Sequence, residues 1–298
     1  MDGIFVVYKP RGITSHDVVY RMRKILNMRK IGHGGTLDPM AEGVLPVFTG
    51  KATRLLEYAL EGEKTYQGVI TFGAQTTTGD AEGEVLSTSP VVFLKQEKID
   101  SVLRQFTGPI MQVPPMYSAI KQQGQPLYKL ARKGVEVDRE PRAIIIHSLK
   151  EIAYDESTLT IEVNCSKGTY IRKLAEDIAL ACNMRGHLTK LVRTQVGEFT
   201  LAEARTLEEI ATDYTACVLP LGRAVQDLPL LVVNNLQGRR IAQGVPTTLP
   251  NLCEEGCIYR VETRDGILVG TGKCNDGRVR ALKVINIPEE EAEVNESN

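Results

Sequence analysis

Residues 31 to 43 read I-G-H-G-G-T-L-D-P-M-A-E-G. Glycines at 32, 34, 35 and 43, with a proline at 39, forbid a helix or an unbroken strand through this stretch. Whatever the chain builds on either side must stop and turn here. Gly32, Gly34 and Gly35 allow positive φ and the close approach of another molecule's backbone. Asp38 stands on this bare turn, and two readings of it compete. It can be a helix N-cap with Pro39 at the first helical position, or an accessible carboxylate with a chemical task. Gly43 and Pro46 would cut such a helix to little more than a turn, and His33 and the glycines leave the carboxylate open. The nearest other acid, Glu42, does not make an ordinary acid/base pair. One carboxylate without an acid partner suits a nucleophile or an ion pair better than standard hydrolysis.

Familiar alternatives fail on spacing. Gly50-Lys51 has Leu45 where a phosphate loop needs glycine, and Gly32-x-Gly34 is followed by Leu37 where a dinucleotide fingerprint needs a third glycine. No G-x-S-x-G, H-E-x-x-H or P-C-x-x-C is present. The six cysteines form no C-x-x-C pair, and Cys253 and Cys257 are followed by no histidine, so reduced cysteines of a cytosolic protein are expected rather than a zinc site. No apolar run approaches the ~18 residues of a membrane span, and the N-terminus lacks an export signal. A cytoplasmic protein without membrane contact is expected.

Net charge is −1, but five glutamates lie in the last ten residues, and without them it would be +4. Arg21, Arg23, Lys24, Arg29 and Lys30 form one basic group, and Arg185, His187, Lys190 and Arg193 another. Either could touch phosphates or be a solvated face.

Periodicity predicts a strand at 4–7, a helix from an N-cap at Ser15 to about 27, an edge or irregular strand at 44–48 around Pro46, a helix at 51–60 and a strand at 65–72. The stretch T-T-T-G-D-A-E-G-E reads as a polar loop. Helix 97–106, an extended Q-V-P-P-M-Y-S-A-I, and strands 142–152 and 158–165 follow. The clearest helix runs from Tyr170 to Cys182, with Arg172 at its start beside the apolar stripe. T-L-E-E from Thr206 is a capping box with Glu209. Past 228, short strand-like runs at 230–233, 257–262, 267–270 and 279–285 indicate a β-rich module, and the tail from 289 is expected to be disordered.

G-H-G-G-T-L-D-P-M-A-E-G-V-L-P closely resembles the catalytic motif of the TruB family of tRNA pseudouridine synthases. Four more segments match that family in order: Lys9-Pro10-Arg11-Gly12 its K-P-x-G, Lys64-Thr65-Tyr66 its K-x-Y, Gly168-Thr169-Tyr170-Ile171-Arg172 its G-T-Y-I-R, and His187 to Arg193 its leucine–arginine motif. Residues 230–287 resemble its small PUA-type module less specifically. The resemblance implies an α+β pseudouridine-synthase fold, with a central mixed, largely antiparallel sheet flanked by helices. It implies a catalytic domain at 1–228, a PUA-like RNA-binding module at 229–288 and an acidic tail at 289–298.

The implied activity is isomerisation of uridine 55 in the tRNA T-loop, without cofactor or metal, by a monomer that binds the T-arm stem-loop and needs no protein partner. Asp38 is then the nucleophile, attacking C1′ or C6. Tyr66 stacks on the flipped base and takes part in moving the C5 proton; a core tyrosine on a strand is the alternative. Arg172 pairs with Asp38, since a nearby guanidinium favours the ionised carboxylate. Tyr170 and Leu191 wall the pocket, His33 contacts RNA near the flipped nucleotide, and Lys9 and Pro10 support the site. Gly34 and Gly35 belong to the substrate-binding turn; Gly34 stands where relatives often carry threonine or another small residue. A non-catalytic RNA-binding or tRNA-folding protein, and a synthase working only within a guide-RNA complex, are the alternative functions. The length of segment 74–141 favours the stand-alone bacterial type.

Overall fold

A computed structural model describes residues 1–118, 120–122, 124–131, 133–249 and 253–289. Position 119 of the proline-stiffened segment, and the acidic tail beyond Glu289, lie outside the described residues. In chain order the strands are β1 (Gly3–Lys9), β2 (Ile31–His33), β3 (Glu42–Thr49), β4 (Lys64–Phe72), β5 (Ala74–Thr76), β6 (Val85–Thr88), β7 (Gly108–Gln112), β8 (Lys121–Gln122), β9 (Gln125–Pro126), β10 (Arg142–Tyr154), β11 (Thr158–Cys165), β12 (Gly186–Val196), β13 (Phe199–Thr200), β14 (Leu230–Val233), β15 (Thr247–Thr248), β16 (Ile258–Thr263), β17 (Leu268–Asn275) and β18 (Arg278–Val284). The helices are α1 (Ser15–Ile25), α2 (Leu56–Glu61), α3 (Gln96–Gln105), α4 (Leu127–Ala131), α5 (Ile171–Ala181), α6 (Leu207–Thr212), α7 (Tyr214–Cys217) and α8 (Asn235–Ala242).

Among the described residues a nine-stranded sheet runs β1-β3-β12-β4-β11-β10-β7, with β2 on β3 and β13 on β12. Its pairings are antiparallel except β3 with β12, so the sheet is mixed, as expected. Alternate residues of β1 feed two cores. Phe5 and Val7 pack with α1 and α6 residues such as Val18, Met22 and Ile210. Ile4 and Val6 pack with Ala52, Leu55 and Ala59. A strand covered on both faces has no alternation, hence the continuous I-F-V-V. A third core lies between α3, α5 and the β4-β11-β10 half.

Three local expectations are corrected. Thr14, not Ser15, caps α1: its hydroxyl accepts from the Asp17 N–H and the Asp17 carboxylate accepts from the Thr14 N–H. β3 is interior rather than an edge. It pairs β1 along its length, β12 at Glu42 and Gly43, and β2 from Val47 to Thr49. Pro46 falls between the last two stretches, where one neighbour has ended before the next begins. Cys253 and Cys274 form a disulfide, so these two are not reduced thiols. The fold brings their Cα atoms to 6.1 Å, within disulfide reach, across a sequence separation of 21 that carries no signal.

The C-terminal strands form a five-stranded sheet, β14-β16-β17-β18-β15. It docks on α2 and the 3₁₀ turn Gly50–Leu55 before it. Leu268 and Ile285 join the Ile4 core. Tyr58 and Thr271 share a hydroxyl hydrogen bond of 2.7 Å, the Arg54 guanidinium donates to the Val284 carbonyl at 2.6 Å, and Lys283 pairs with Glu57 at 3.2 Å. Among the described residues, no helix is long and apolar enough to cross a membrane.

Candidate active site

The turn between β2 and β3 carries Asp38. It is tied down from three sides, mostly through its own carbonyls. The Lys9 ammonium is fully buried and donates to the carbonyls of Ala41 at 2.6 Å, Pro10 at 3.0 Å and Pro39 at 3.4 Å. Ser15 accepts from the Leu37 N–H at 2.8 Å and donates to the Leu37 carbonyl at 3.1 Å. Gly12 N–H donates to the Pro39 carbonyl at 2.8 Å. From β12, Arg193 donates to the carbonyls of Val44, Gly35 and Thr36 at 2.9, 3.0 and 3.4 Å. The Asp38 carbonyl closes a tight turn on the Ala41 N–H at 3.1 Å. No helix follows Asp38, so it is not an N-cap. Only Gly35 of the first three glycines uses positive φ, at +103°. At Gly34 the space is tight: a Cβ there would lie 3.3 Å from both Ala59 and Phe48, so these neighbours would have to give by a few tenths of an ångström.

Arg172, at the start of α5, reaches the turn from the side. Its Nε lies 2.8 Å from Asp38 Oδ2 and 3.7 Å from Asp80 Oδ2. Its other nitrogens donate to the carbonyls of Thr78 at 2.7 Å and Tyr117 at 2.8 Å. The Arg172 side chain is 5% exposed and that of Asp80 6%, but Asp38 is 41% exposed. One buried guanidinium thus holds a buried carboxylate on one side and offers an open one to solvent. Such a pair orients Asp38 while leaving it reachable.

Asp80 was not singled out in the sequence. It lies in the stretch read as a polar loop, where an acid is unremarkable. Its burial is tertiary: the Asp80 segment bridges to Leu188 of β12, with Ala81 N–H donating to the Leu188 carbonyl at 3.1 Å. Its Oδ1 also accepts from the Thr78 hydroxyl and the Glu82 N–H. Gln112 was also passed over. Its amide clamps the α5 entrance, donating to the Tyr170 carbonyl at 3.1 Å and accepting from the Tyr170 N–H at 2.8 Å.

Tyr66 on β4 and Leu191 on β12 are both buried and belong to the large core, so pocket wall and core packing coincide in them. Burial raises the Tyr66 phenol above its usual range, opposed by the Arg193 guanidinium. Tyr170 is half-buried and its phenol is raised, chiefly by burial. Half-buried His33 stands edge-on to His16 at 6.2 Å between centroids, and its buried Nδ1 has no partner among the described residues. Burial, then the charges of His16 and Arg193, push its pKa down, which keeps the ring neutral at neutral pH. Glu42 accepts from the Tyr8 hydroxyl at 2.8 Å and does not simply face solvent. Arg193 is corrected: it was grouped with cations that could meet phosphates, but it is 1% exposed. Arg185 and Lys190 of the same group are exposed, while the His187 Nδ1 contacts the Ala74 carbonyl at 2.8 Å.

The fold therefore brings Asp38, on a turn, to Arg172 on a helix, while Tyr66 and Leu191 stand on the adjacent strands β4 and β12 in one core. A family model described as TruB family pseudouridylate synthase (N terminal domain) matches residues 23–171, and one for the tRNA pseudouridylate synthase B C-terminal domain matches 172–226. The chain belongs to the TruB family of pseudouridylate synthases. Curated relatives within this TruB group carry the name tRNA pseudouridine synthase B. That of Pseudomonas fluorescens (strain Pf0-1) is 41% identical, covering 96% of each chain. That of Nitrosococcus oceani is 42% identical over 95% of this chain and 94% of the relative. Among solved structures, the chain is similar to one reported as a Cbf5-Nop10-Gar1 complex, with TM-score 0.77, 26% identity, and 95% and 85% of the two chains covered. It is also similar to an archaeal box H/ACA sRNP Nop10-Cbf5 complex, with TM-score 0.74, 25% identity, and 96% and 87% covered. The similarity to these structures extends beyond the stretch that the family models match, over most of the C-terminal sheet.

Proposed function

We propose that this TruB-family enzyme isomerises uridine 55 of the tRNA T-loop to pseudouridine, with Asp38 as nucleophile and the target nucleotide flipped out of its stack. The observation that carries the reading is the half-open Asp38 carboxylate, gripped at 2.8 Å by a guanidinium that is itself buried. A nucleophile must be oriented and reachable, and the 2.8 Å contact and the exposure of Asp38 support both. The names of full-length relatives support tRNA as substrate.

In this reading Asp38 attacks the nucleoside, the glycosidic bond breaks, the uracil turns, and C5 bonds to C1′. Arg172 holds the Asp38 carboxylate in place before attack and receives it again when it departs. Asp80 holds Arg172 from behind, so the guanidinium does not follow Asp38 into solvent. Tyr66, Tyr170 and Leu191 enclose the flipped base, and neutral His33 meets RNA at the rim. Lys9 and Ser15 fix the turn without touching the reacting atoms. Extracting the base costs a few kcal/mol. The exposed cations Arg21, Arg23, Lys24, Arg29 and Lys30, with the 229–288 module, supply phosphate contacts against that cost.

The test is direct. Purified protein alone is incubated with an unmodified T-arm stem-loop, and pseudouridine is mapped by position. Conversion at position 55 alone is expected. Binding without conversion would favour a tRNA-folding protein, and conversion only with added guide RNA and proteins would favour a guide-RNA-dependent synthase.

A further inference from the structure

Arg193 is the largest fully buried side chain among the described residues, and none of their carboxylates is ion-paired to it. A buried cation without an anion is costly. Three backbone carbonyls share its charge, those of Gly35, Thr36 and Val44. The ionisable group against it is Tyr66. The two are direct partners across β12 and β4, so their side chains leave the same face of the sheet. A guanidinium has donors and no acceptor. The Tyr66 oxygen can therefore meet Arg193 only as an acceptor, which leaves its own O–H available to another group.

We propose that Arg193 is a positioning residue for Tyr66: it orients the phenol and carries the charge that develops on its oxygen while Tyr66 relays a proton from C5 of the uracil to N1. This rests on the pseudouridine-synthase reading above. Once C5 is joined to C1′, C5 still bears its hydrogen and N1, doubly bonded to C6, bears none. The C5–H bond breaks and its electron pair becomes the C5=C6 bond. The C6=N1 π pair moves to N1, which takes the hydroxyl proton of Tyr66. The Tyr66 oxygen takes the proton from C5. Tyr66 ends as it began, and an isomerisation needs no net proton. Burial and the Arg193 charge act oppositely on this phenol. Arg193 thus offsets at one atom what burial of the pocket costs.

Arg193 also holds Gly35 and Thr36, so a slower variant alone would not separate a structural role from this one. Single-turnover rates are measured on T-arm RNA carrying uridine or 5-deuterio-uridine at position 55. Arg193→Lys is expected to slow isomerisation by about 10²-fold, with RNA affinity kept within about threefold. The C5 isotope effect should rise to a full primary effect, because C5 proton removal becomes limiting. A more acidic fluorotyrosine placed at 66 in that background should restore part of the rate. Should Arg193→Lys not fold, Tyr66→Phe decides: it is expected to bind RNA normally but to release no tritium from C5. Wild-type protein inert on uridine 55 would sink the functional reading. Active wild type would sink this inference alone in either of two cases. In the first, Arg193→Lys is slow with an unchanged isotope effect and no rescue. In the second, Tyr66→Phe releases tritium at the wild-type rate.

Discussion

Arg172 makes four polar contacts at its guanidinium, and two of them go to carboxylates of opposite exposure. The buried one has the more testable task. Asp80→Asn keeps the shape and can still accept from Thr78 and Glu82, but removes the charge behind Arg172. Isomerisation is expected to fall about 10- to 100-fold with RNA affinity nearly unchanged. A wild-type rate in single turnover would show that Asp80 does not hold the guanidinium. Lys9 gives a pH signature. Burial lowers its pKa from 10.5 to about 8. Between those values the unfolded chain binds the extra proton, so stability rises with pH; below about 8 the penalty is present in full. Chemical unfolding from pH 7 to 10.5 should show wild type gaining on Lys9→Met across that window. A constant difference would mean that the ammonium is not held back by burial. Asp38, Tyr66 and Arg172 were legible because each sits inside a short, ordered motif. Asp80 lies in no motif, and although Arg193 closes the leucine–arginine motif its burial was not legible, because a charged residue on paper gives no sign of burial. In β12 a bulge between Leu188 and Lys190 shifts the alternation, putting Leu191 and Arg193 inside and Lys190 outside.

At the scale of elements, the site depends on the parallel pairing of β3 with β12. Gly43 has φ +101°, and a Cβ there would lie 2.2 Å from the Arg193 carbonyl. Gly43→Ala is expected to cost about 3 kcal/mol or more and to dislodge the Asp38 turn. Denaturant midpoints and turnover together check this; an unchanged midpoint would contradict the close approach. Most helices and strands could be read from periodicity, including α5 and the Thr206 cap. β12, the strand at the sheet centre, was read only as a motif of leucines and cations, because its bulges break the period-two pattern. Ser15 was legible as polar at a helix start, but its bond to Leu37 lies 22 residues away and is set by tertiary packing.

The whole molecule has nearly balanced charge but an uneven surface. Exposed cations crowd α1 and the turn after it, from Arg21 to Lys30. T-arm RNA affinity should therefore fall steeply with salt, with a log–log slope of several units. A flat dependence measured by filter binding would remove that face from the interface. The C-terminal sheet is joined to the catalytic part through α2, whose opposite side packs Ala59 near Gly34 and Leu60 near Gly35. The most direct test of the account concerns the proposed nucleophile, Asp38. Asp38→Asn is isosteric and remains a partner for Arg172, so the variant should fold and bind T-arm RNA like wild type. In single turnover it is expected to form no pseudouridine at position 55; substantial residual isomerisation would contradict the nucleophilic role of Asp38.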